Sequence, residues 1–141
     1  METTANLTAP ADNTKLKLWA GRILSGVSIL FFTMDGGFKV LRPQMMIDMS
    51  PPSLGWPEDT GVMILLGSLL LISTALYAYR RTSVLGAILL TGYLGGAIAT
   101  HLRVGDPVFS HTLFGAYFGV MVWGGLWLRN PQLRKLIPLS D

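Results

Sequence analysis

Two histidines, His101 and His111, are the only imidazole groups in the chain, and they lie ten residues apart. Imidazole gains and loses a proton near neutral pH, so either side chain can serve as a general acid or base. Arg103 and Asp106 lie between them and can hold the polar part of a ligand. We therefore take His101 and His111 as candidate catalytic residues, and Arg103 and Asp106 as candidate ligand-binding residues.

Asp35, Lys39 and Tyr93 extend this candidate set. Lys39 follows Asp35 by four residues, so a continuous helix places both on one face, where they can pair. Tyr93 precedes His101 by eight residues, on about the same side of a helix. Its hydroxyl can donate to a quinone or ketone, or alternatively to a neighbouring backbone carbonyl. Lys39 and Arg103 would hold an anionic or carbonyl oxygen, and Asp35 would orient Lys39 or His101.

Three interpretations of these residues stay open. In the first, His101, Arg103 and Asp106 bond loop backbone and cap helix ends, and Asp106 with Pro107 forms a turn. In the second, a polar pocket binds a ligand's head group and is lined by Asp35, Lys39, His101, Arg103 and His111. In the third, His101, His111 and Asp35 bind a metal ion. The sequence lacks closely spaced ligand pairs and contains no cysteine, so we predict no metal site and no thiol chemistry.

The elements that must position these residues are four apolar segments of 17 to 19 residues, in which Arg22 is the only ionisable residue apart from tyrosines. About 20 helical residues cross the roughly 30 Å hydrocarbon layer of a bilayer. A soluble chain of 141 residues is too small to bury four helices without polar faces. We predict an all-α, four-transmembrane-helix bundle within residues 15–138, after a disordered tail at 1–14. The predicted spans are Leu18–Met34, Gly61–Tyr79, Ser83–Thr100 and Thr112–Leu128.

The distribution of basic residues predicts an orientation in which both termini are cytoplasmic. One side of the predicted bundle carries Lys15, Lys17, Arg80, Arg81, Arg129, Arg134 and Lys135, and the other side carries only Lys39, Arg42 and Arg103. The net charge of +3 and the pI near 9.5 therefore reflect a lipid bilayer as partner and not a nucleic acid. The aromatic residues expected at the cytoplasmic interface are Trp19, Tyr77, Tyr79, Trp123 and Trp127.

A long first outer loop, Asp35–Thr60, separates the first two spans. We expect a short helix over Pro43–Met49 that covers the outer end of the bundle. Small residues at four-residue spacing are expected to bring helices close together within the bundle, or alternatively to form a homodimer face. These pairs are Gly21 and Ser25, Gly92 and Gly96, and Gly115 and Gly119.

Several stretches of the chain form a recognisable pattern, namely Gly86–Ala97, Ala99–Pro107, Trp123–Arg129 with Arg134 and Pro138, Asp35 with Gly37 and Lys39, and Pro43 with Leu54–Pro57. Together they resemble the DoxX-like family of small bacterial membrane proteins. The resemblance covers about residues 18–138 and implies four membrane-spanning helices. It also implies a multi-pass protein of the bacterial inner membrane. The family takes its name from a subunit of a thiosulfate:quinone oxidoreductase, so the resemblance suggests an oxidoreductase component but assigns no reaction to His101, Arg103, Asp106 or His111.

The sequence predicts a protein that binds a small lipophilic ligand, such as a quinone, at the outer end of the bundle. Redox or proton-transfer chemistry on that ligand would follow from the histidines. No flavin, haem or iron–sulfur motif is present, so no bound cofactor is predicted. The alternative is a non-catalytic membrane subunit that anchors or stabilises a partner.

Overall fold

The computed structural model describes residues 10–137, and all regular secondary structure in that range is helical. The all-α prediction is thus confirmed. The helices are α1 (Pro10–Leu41), α2 (Pro43–Met49), α3 (Gly61–Ala78), α4 (Ser83–Arg103), α5 (Phe114–Arg129) and α6 (Pro131–Leu136). A short 3₁₀ helix, Pro52–Leu54, precedes α3, and a π-helical turn, Val108–Thr112, precedes α5.

Among the described residues, three helices are long and apolar enough to cross a membrane, namely Asn13–Leu41 within α1, Gly61–Ala78 and Ser83–Arg103. The helix that corresponds to the fourth predicted segment, α5, is shorter, with 16 residues. Helix α1 begins at Pro10, so residues 10–14 are helical although the sequence placed them in the tail. The remainder of the predicted disordered tail lies outside the described residues.

The four longer helices pack as a ring in which α1 and α4 each contact both α3 and α5. Consecutive helices run in opposite directions, so the ring has two ends. The His101 end contains the C-termini of α1 and α4 and the N-termini of α3 and α5. The Arg129 end contains the other four termini and α6. The buried core between the helices consists of Phe32, Leu70, Tyr77, Ala87, Leu90, Leu94, Phe118, Val122, Leu126 and Leu133.

Tyr77 lies inside this core and is 0% exposed. The sequence placed it at the membrane interface, where a hydroxyl reaches water. The structure instead satisfies the hydroxyl internally, since it donates to the Val122 carbonyl at 2.8 Å and lies 2.9 Å from the Ser25 hydroxyl. A phenol has one proton, so Ser25 donates the second bond. Tyr77 of α3 thereby joins α1 and α5.

Close helix contacts explain some of the small residues but not all of them. A Cβ built on Gly21 would lie 2.8 Å from the Gly125 carbonyl oxygen, and one on Gly115 would lie 3.0 Å from the Ile98 side chain. By contrast, nothing lies within 4 Å of a Cβ built on Gly92, Gly96 or Gly119. Packing within the chain therefore accounts for Gly21 and Gly115, whereas Gly92 and Gly96 leave an open stripe on α4.

Replacing Gly86 by Ala tests the closest of these contacts. A Cβ at Gly86 would overlap the backbone of Tyr77, which would force α3 and α4 apart. We expect Gly86→Ala to destabilise the protein by about 1–3 kcal/mol, measured as a lower Tm in detergent. Gly92→Ala on the same helix is the matched control. Because space is free there, its stability should be unchanged or higher by up to about 1 kcal/mol, and an equal loss in both variants would contradict the packing.

Candidate functional site

The His101 end carries a histidine–aspartate pair that a helix-terminating turn assembles. The amide of Gly105 donates to the Leu102 carbonyl at 3.2 Å, and the amide of Asp106 donates to the His101 carbonyl at 3.1 Å. These two bonds form a Schellman motif, which requires a left-handed residue after the helix. Gly105, with φ +73°, is that residue. The turn returns Asp106 to the last turn of α4, beside the His101 side chain.

The His101 ring is oriented by this carboxylate. Its Nδ1 atom lies 2.6 Å from Oδ2 of Asp106, and the two side chains are 25% and 11% exposed. A carboxylate accepts hydrogen bonds and does not donate them, so the proton lies on Nδ1. In neutral His101 the lone pair is then on Nε2, which can accept a proton from a ligand. The pairing agrees with two of the three interpretations. The Asp106 amide closes the turn after α4, and the Asp106 carboxylate orients the imidazole that would contact a ligand.

His111 lies beside this pair on the π-helical turn. Its ring centroid is 6.0 Å from that of His101, and its Nδ1 atom lies 2.8 Å from the Ser110 hydroxyl. The structure therefore brings together both histidines. Ser110 is a further contact residue that the sequence gave no specific reason to select. No group of three or more His, Asp or Glu side chains within residues 13–137 is arranged to hold a metal ion.

Asp35 and Lys39 pair on α1 as their spacing predicted. The helix continues past the predicted end at Met34 to Leu41, which keeps both residues on one helical face. Lys39 also lies against α3, since a Cβ on Gly67 would be 2.7 Å from the Lys39 Cβ. Both side chains are largely buried, at 24% exposure for Asp35 and 14% for Lys39. The pair is thus held at the contact between α1 and α3.

Tyr93 is half-buried against the core and presents a free hydroxyl. The described residues, 13–137, provide no hydrogen-bond partner for that hydroxyl, so the predicted alternative of a bond to a neighbouring carbonyl does not apply. Asp35 is the charged residue that interacts with it electrostatically. Within residues 13–137, no hydrogen bond joins Tyr93 to the Asp35–Lys39 pair. His101 lies about 12 Å further along α4, from the rise of eight helical residues.

Arg103 connects the end of α4 to the long loop. Its guanidinium donates to the Leu54 carbonyl at 3.2 Å, and Leu54 itself is buried. The loop also contains the predicted short helix, α2, with the predicted bounds Pro43–Met49. Trp56 follows, and its indole N–H is buried and lacks a partner among the described residues. Arg103 thus holds the loop in place, as the first interpretation of the sequence expected for a side chain that bonds loop backbone.

Two separate polar pairs consequently form the candidate site. The Asp35–Lys39 pair with Tyr93 lies deeper, and the His101–Asp106 pair with His111 lies at the end of α4. Within residues 13–137, no hydrogen bond or ion pair joins one group to the other. The suggestion that Asp35 orients His101 is therefore not supported, whereas its orientation of Lys39 is. An elongated ligand along α4 could contact both groups.

Substitutions at Gly105 test whether the turn positions Asp106. Asn tolerates the left-handed conformation, Ala tolerates it poorly and a β-branched residue least. We expect stability to fall in the order Gly105→Asn, Gly105→Ala and Gly105→Val, with about 1 kcal/mol lost for Ala. Hydrogen exchange at the Asp106 amide should accelerate in the same order. Equal exchange in the Asn and Val variants would contradict the assigned turn.

Comparison with known proteins places the chain in one family. The model of the DoxX-like family matches residues 23–125, which include every candidate site residue. No curated protein and no solved structure matches the chain significantly. The family and the three long apolar helices together indicate an integral membrane protein. The chain belongs to the DoxX-like family.

Proposed function

We propose that this protein is a multi-pass protein of the bacterial inner membrane that binds a small lipophilic ligand, such as a quinone, at its His101 end. The observation that carries the proposal is the free hydroxyl of Tyr93, which has no hydrogen-bond partner among the described residues and packs against the core. A hydroxyl without a partner is costly where it faces hydrocarbon, and a ligand oxygen would satisfy it. A lipophilic ligand can reach this level of the helices directly from the membrane.

The polar groups of the site suit a ligand with two oxygen atoms. Tyr93 would donate to one oxygen, and Lys39 would stabilise negative charge that develops on it. His101, with Nδ1 held by Asp106, would take up or release a proton through Nε2. His111 is close enough to exchange protons with His101 through a water molecule or a ligand group. Arg103 keeps one guanidinium nitrogen on the loop and has further N–H groups for an anionic group.

The topology that we propose has four spans with both termini in the cytoplasm. Helix α5 alone is about 24 Å long at 1.5 Å per residue, short of the roughly 30 Å hydrocarbon layer. The preceding turn, Val108–Thr112, extends the helical segment toward the His101 end. The seven basic residues of the predicted cytoplasmic side, Arg80 and Lys135 among them, support this orientation.

A cysteine-accessibility experiment tests this topology, because the natural chain contains no cysteine. In intact cells, a membrane-impermeant maleimide should label Ser110→Cys. Arg80→Cys and Lys135→Cys should be labelled only after permeabilisation. If α5 does not cross the membrane, Lys135→Cys is labelled together with Ser110→Cys, and the four-span proposal is wrong.

Ligand binding is tested on the protein purified in detergent, with a short-chain ubiquinone as probe. We expect Tyr93→Phe and His101→Ala to weaken binding about five- to thirteenfold each, as expected for the loss of one hydrogen bond of about 1–1.5 kcal/mol. Tyr117→Phe is the matched control, since the Tyr117 hydroxyl donates to the Phe109 carbonyl. Mass spectrometry of co-purifying lipophilic molecules provides a second readout. Unchanged binding in both site variants would rule out the site.

The open stripe at Gly92 and Gly96 favours the alternative function, a non-catalytic subunit that anchors or stabilises a partner. Small residues on a membrane helix allow a second helix to approach closely, and that helix would come from a partner subunit or a second copy of this chain. A partner that co-purifies with the wild type and is lost in Gly96→Leu would support this function. Stability that depends on the complex would support it further.

A further inference from the structure

We propose that the Arg129 end carries a binding site for an anionic phospholipid, in a groove between α5 and α6. This site is separate from the proposed ligand site, which lies at the opposite end of α5. The groove has a volume of about 560 Å³, within the range of about 300–1,000 Å³ that is typical of small-molecule sites. It is lined by Val120, Trp123, Gly124, Trp127, Leu128, Leu133 and Ile137.

The groove is kept open by a glycine and by a fixed short helix. Gly124 has no side chain, and nothing lies within 4 Å of a Cβ built there. Helix α6 is turned back against α5 by Asn130, whose side-chain oxygen accepts from the amides of Gln132 and Leu133 at 3.1 and 3.3 Å. Leu133 is buried against the core. The space beside Gly124 is therefore part of the fold.

The surface of the groove offers hydrocarbon and no free hydrogen-bonding side chain. The indole of Trp123 donates to the Thr91 hydroxyl at 2.8 Å, and that of Trp127 donates to the Ile137 carbonyl at 2.8 Å. The other lining side chains are aliphatic. A water-soluble metabolite would thus lose hydrogen bonds on entering, whereas an acyl chain would not. The occupant of the groove itself is a hydrocarbon chain.

The charge beside the groove selects the head group. Arg134 and Lys135 lie on α6 between two lining residues, Leu133 and Ile137. Residues 107–137 contain no Asp or Glu, so these charges are not neutralised by their own segment. Arg129 is turned inward, because its guanidinium lies 5.1 Å from the centre of the Tyr77 ring and donates to the Tyr77 carbonyl at 3.4 Å. Its Nε is buried and has no partner among the described residues. Arg134 and Lys135 would therefore bind the phosphate.

The test compares two lipids on the full-length, delipidated protein in detergent, by native mass spectrometry. The probes are dioleoylphosphatidylglycerol and dioleoylphosphatidylcholine, which differ only in the head group. We expect the wild type to retain more of the anionic lipid. The double variant Arg134→Gln/Lys135→Gln should lose that preference, by about fivefold for each basic residue. Gly124→Leu, which fills the groove, should reduce retention of both lipids.

The control is Arg80→Gln/Arg81→Gln, which removes the same charge from the loop between α3 and α4. It should retain the preference, and an equal loss would show that general attraction and not this site binds the lipid. Should Gly124→Leu lower the Tm without lipid, Val120→Trp replaces it, because Val120 is 73% exposed and tolerates a larger side chain. Wild-type lipid retention in the groove-filling variant that keeps the wild-type Tm would overturn the proposal. A protein found bound at the groove in place of lipid would overturn it as well.

Discussion

The hydroxyl of Tyr77 joins three of the four longer helices at a single buried point. It donates to the Val122 carbonyl of α5 and accepts from Ser25 of α1, and Gly86 of α4 packs directly on the Tyr77 backbone. Lipid supplies no hydrophobic force between apolar helices, so polar bonds and close packing must hold them together. A buried hydroxyl that lost these partners would cost about 1–3 kcal/mol. The contact therefore fixes the four longer helices relative to one another near the Arg129 end.

The two ends of the helices differ in the polar groups that they leave free. At the Arg129 end, the Tyr77 hydroxyl and the indoles of Trp123 and Trp127 are bonded within the protein, whereas the buried Nε of Arg129 has no partner among the described residues. This end offers a groove of hydrocarbon beside basic residues. The His101 end instead leaves a free hydroxyl at Tyr93 and an oriented imidazole at His101. A site that binds a ligand needs such groups, because a group already bonded within the protein has nothing left to offer a ligand. This contrast is the reason for assigning lipid binding to one end and ligand chemistry to the other.

Arg103 and Asp106 show how one residue can serve both fold and function. Asp106 completes the turn after α4 and at the same time orients His101. Arg103, two residues after His101, holds the loop at Leu54. A structural role for these residues is therefore no evidence against a ligand site. Such dual roles are expected in a small protein, because the loops that end the helices also form the surface of the candidate site.

The sequence by itself determined what depends on local spacing. Helical composition follows from the long apolar segments, and the Asp35–Lys39 pair follows from a four-residue separation on one helix. The short helix α2 follows from the prolines and apolar residues of Pro43–Met49. These features need only neighbours along the chain, so sequence patterns predict them.

Only the tertiary structure decided which polar groups find a hydrogen-bond partner far away in the sequence. Burial of Tyr77 depends on Ser25 and Val122, which lie 52 and 45 residues away, and no local pattern distinguishes it from an interfacial tyrosine. The same holds for Arg103, whose partner on the long loop is 49 residues away, and for the free hydroxyl of Tyr93. The groove beside Gly124 likewise exists only because Asn130 turns α6 back on α5. Hydrogen-bond satisfaction and open space are properties of packed helices, since they depend on what other segments bring close.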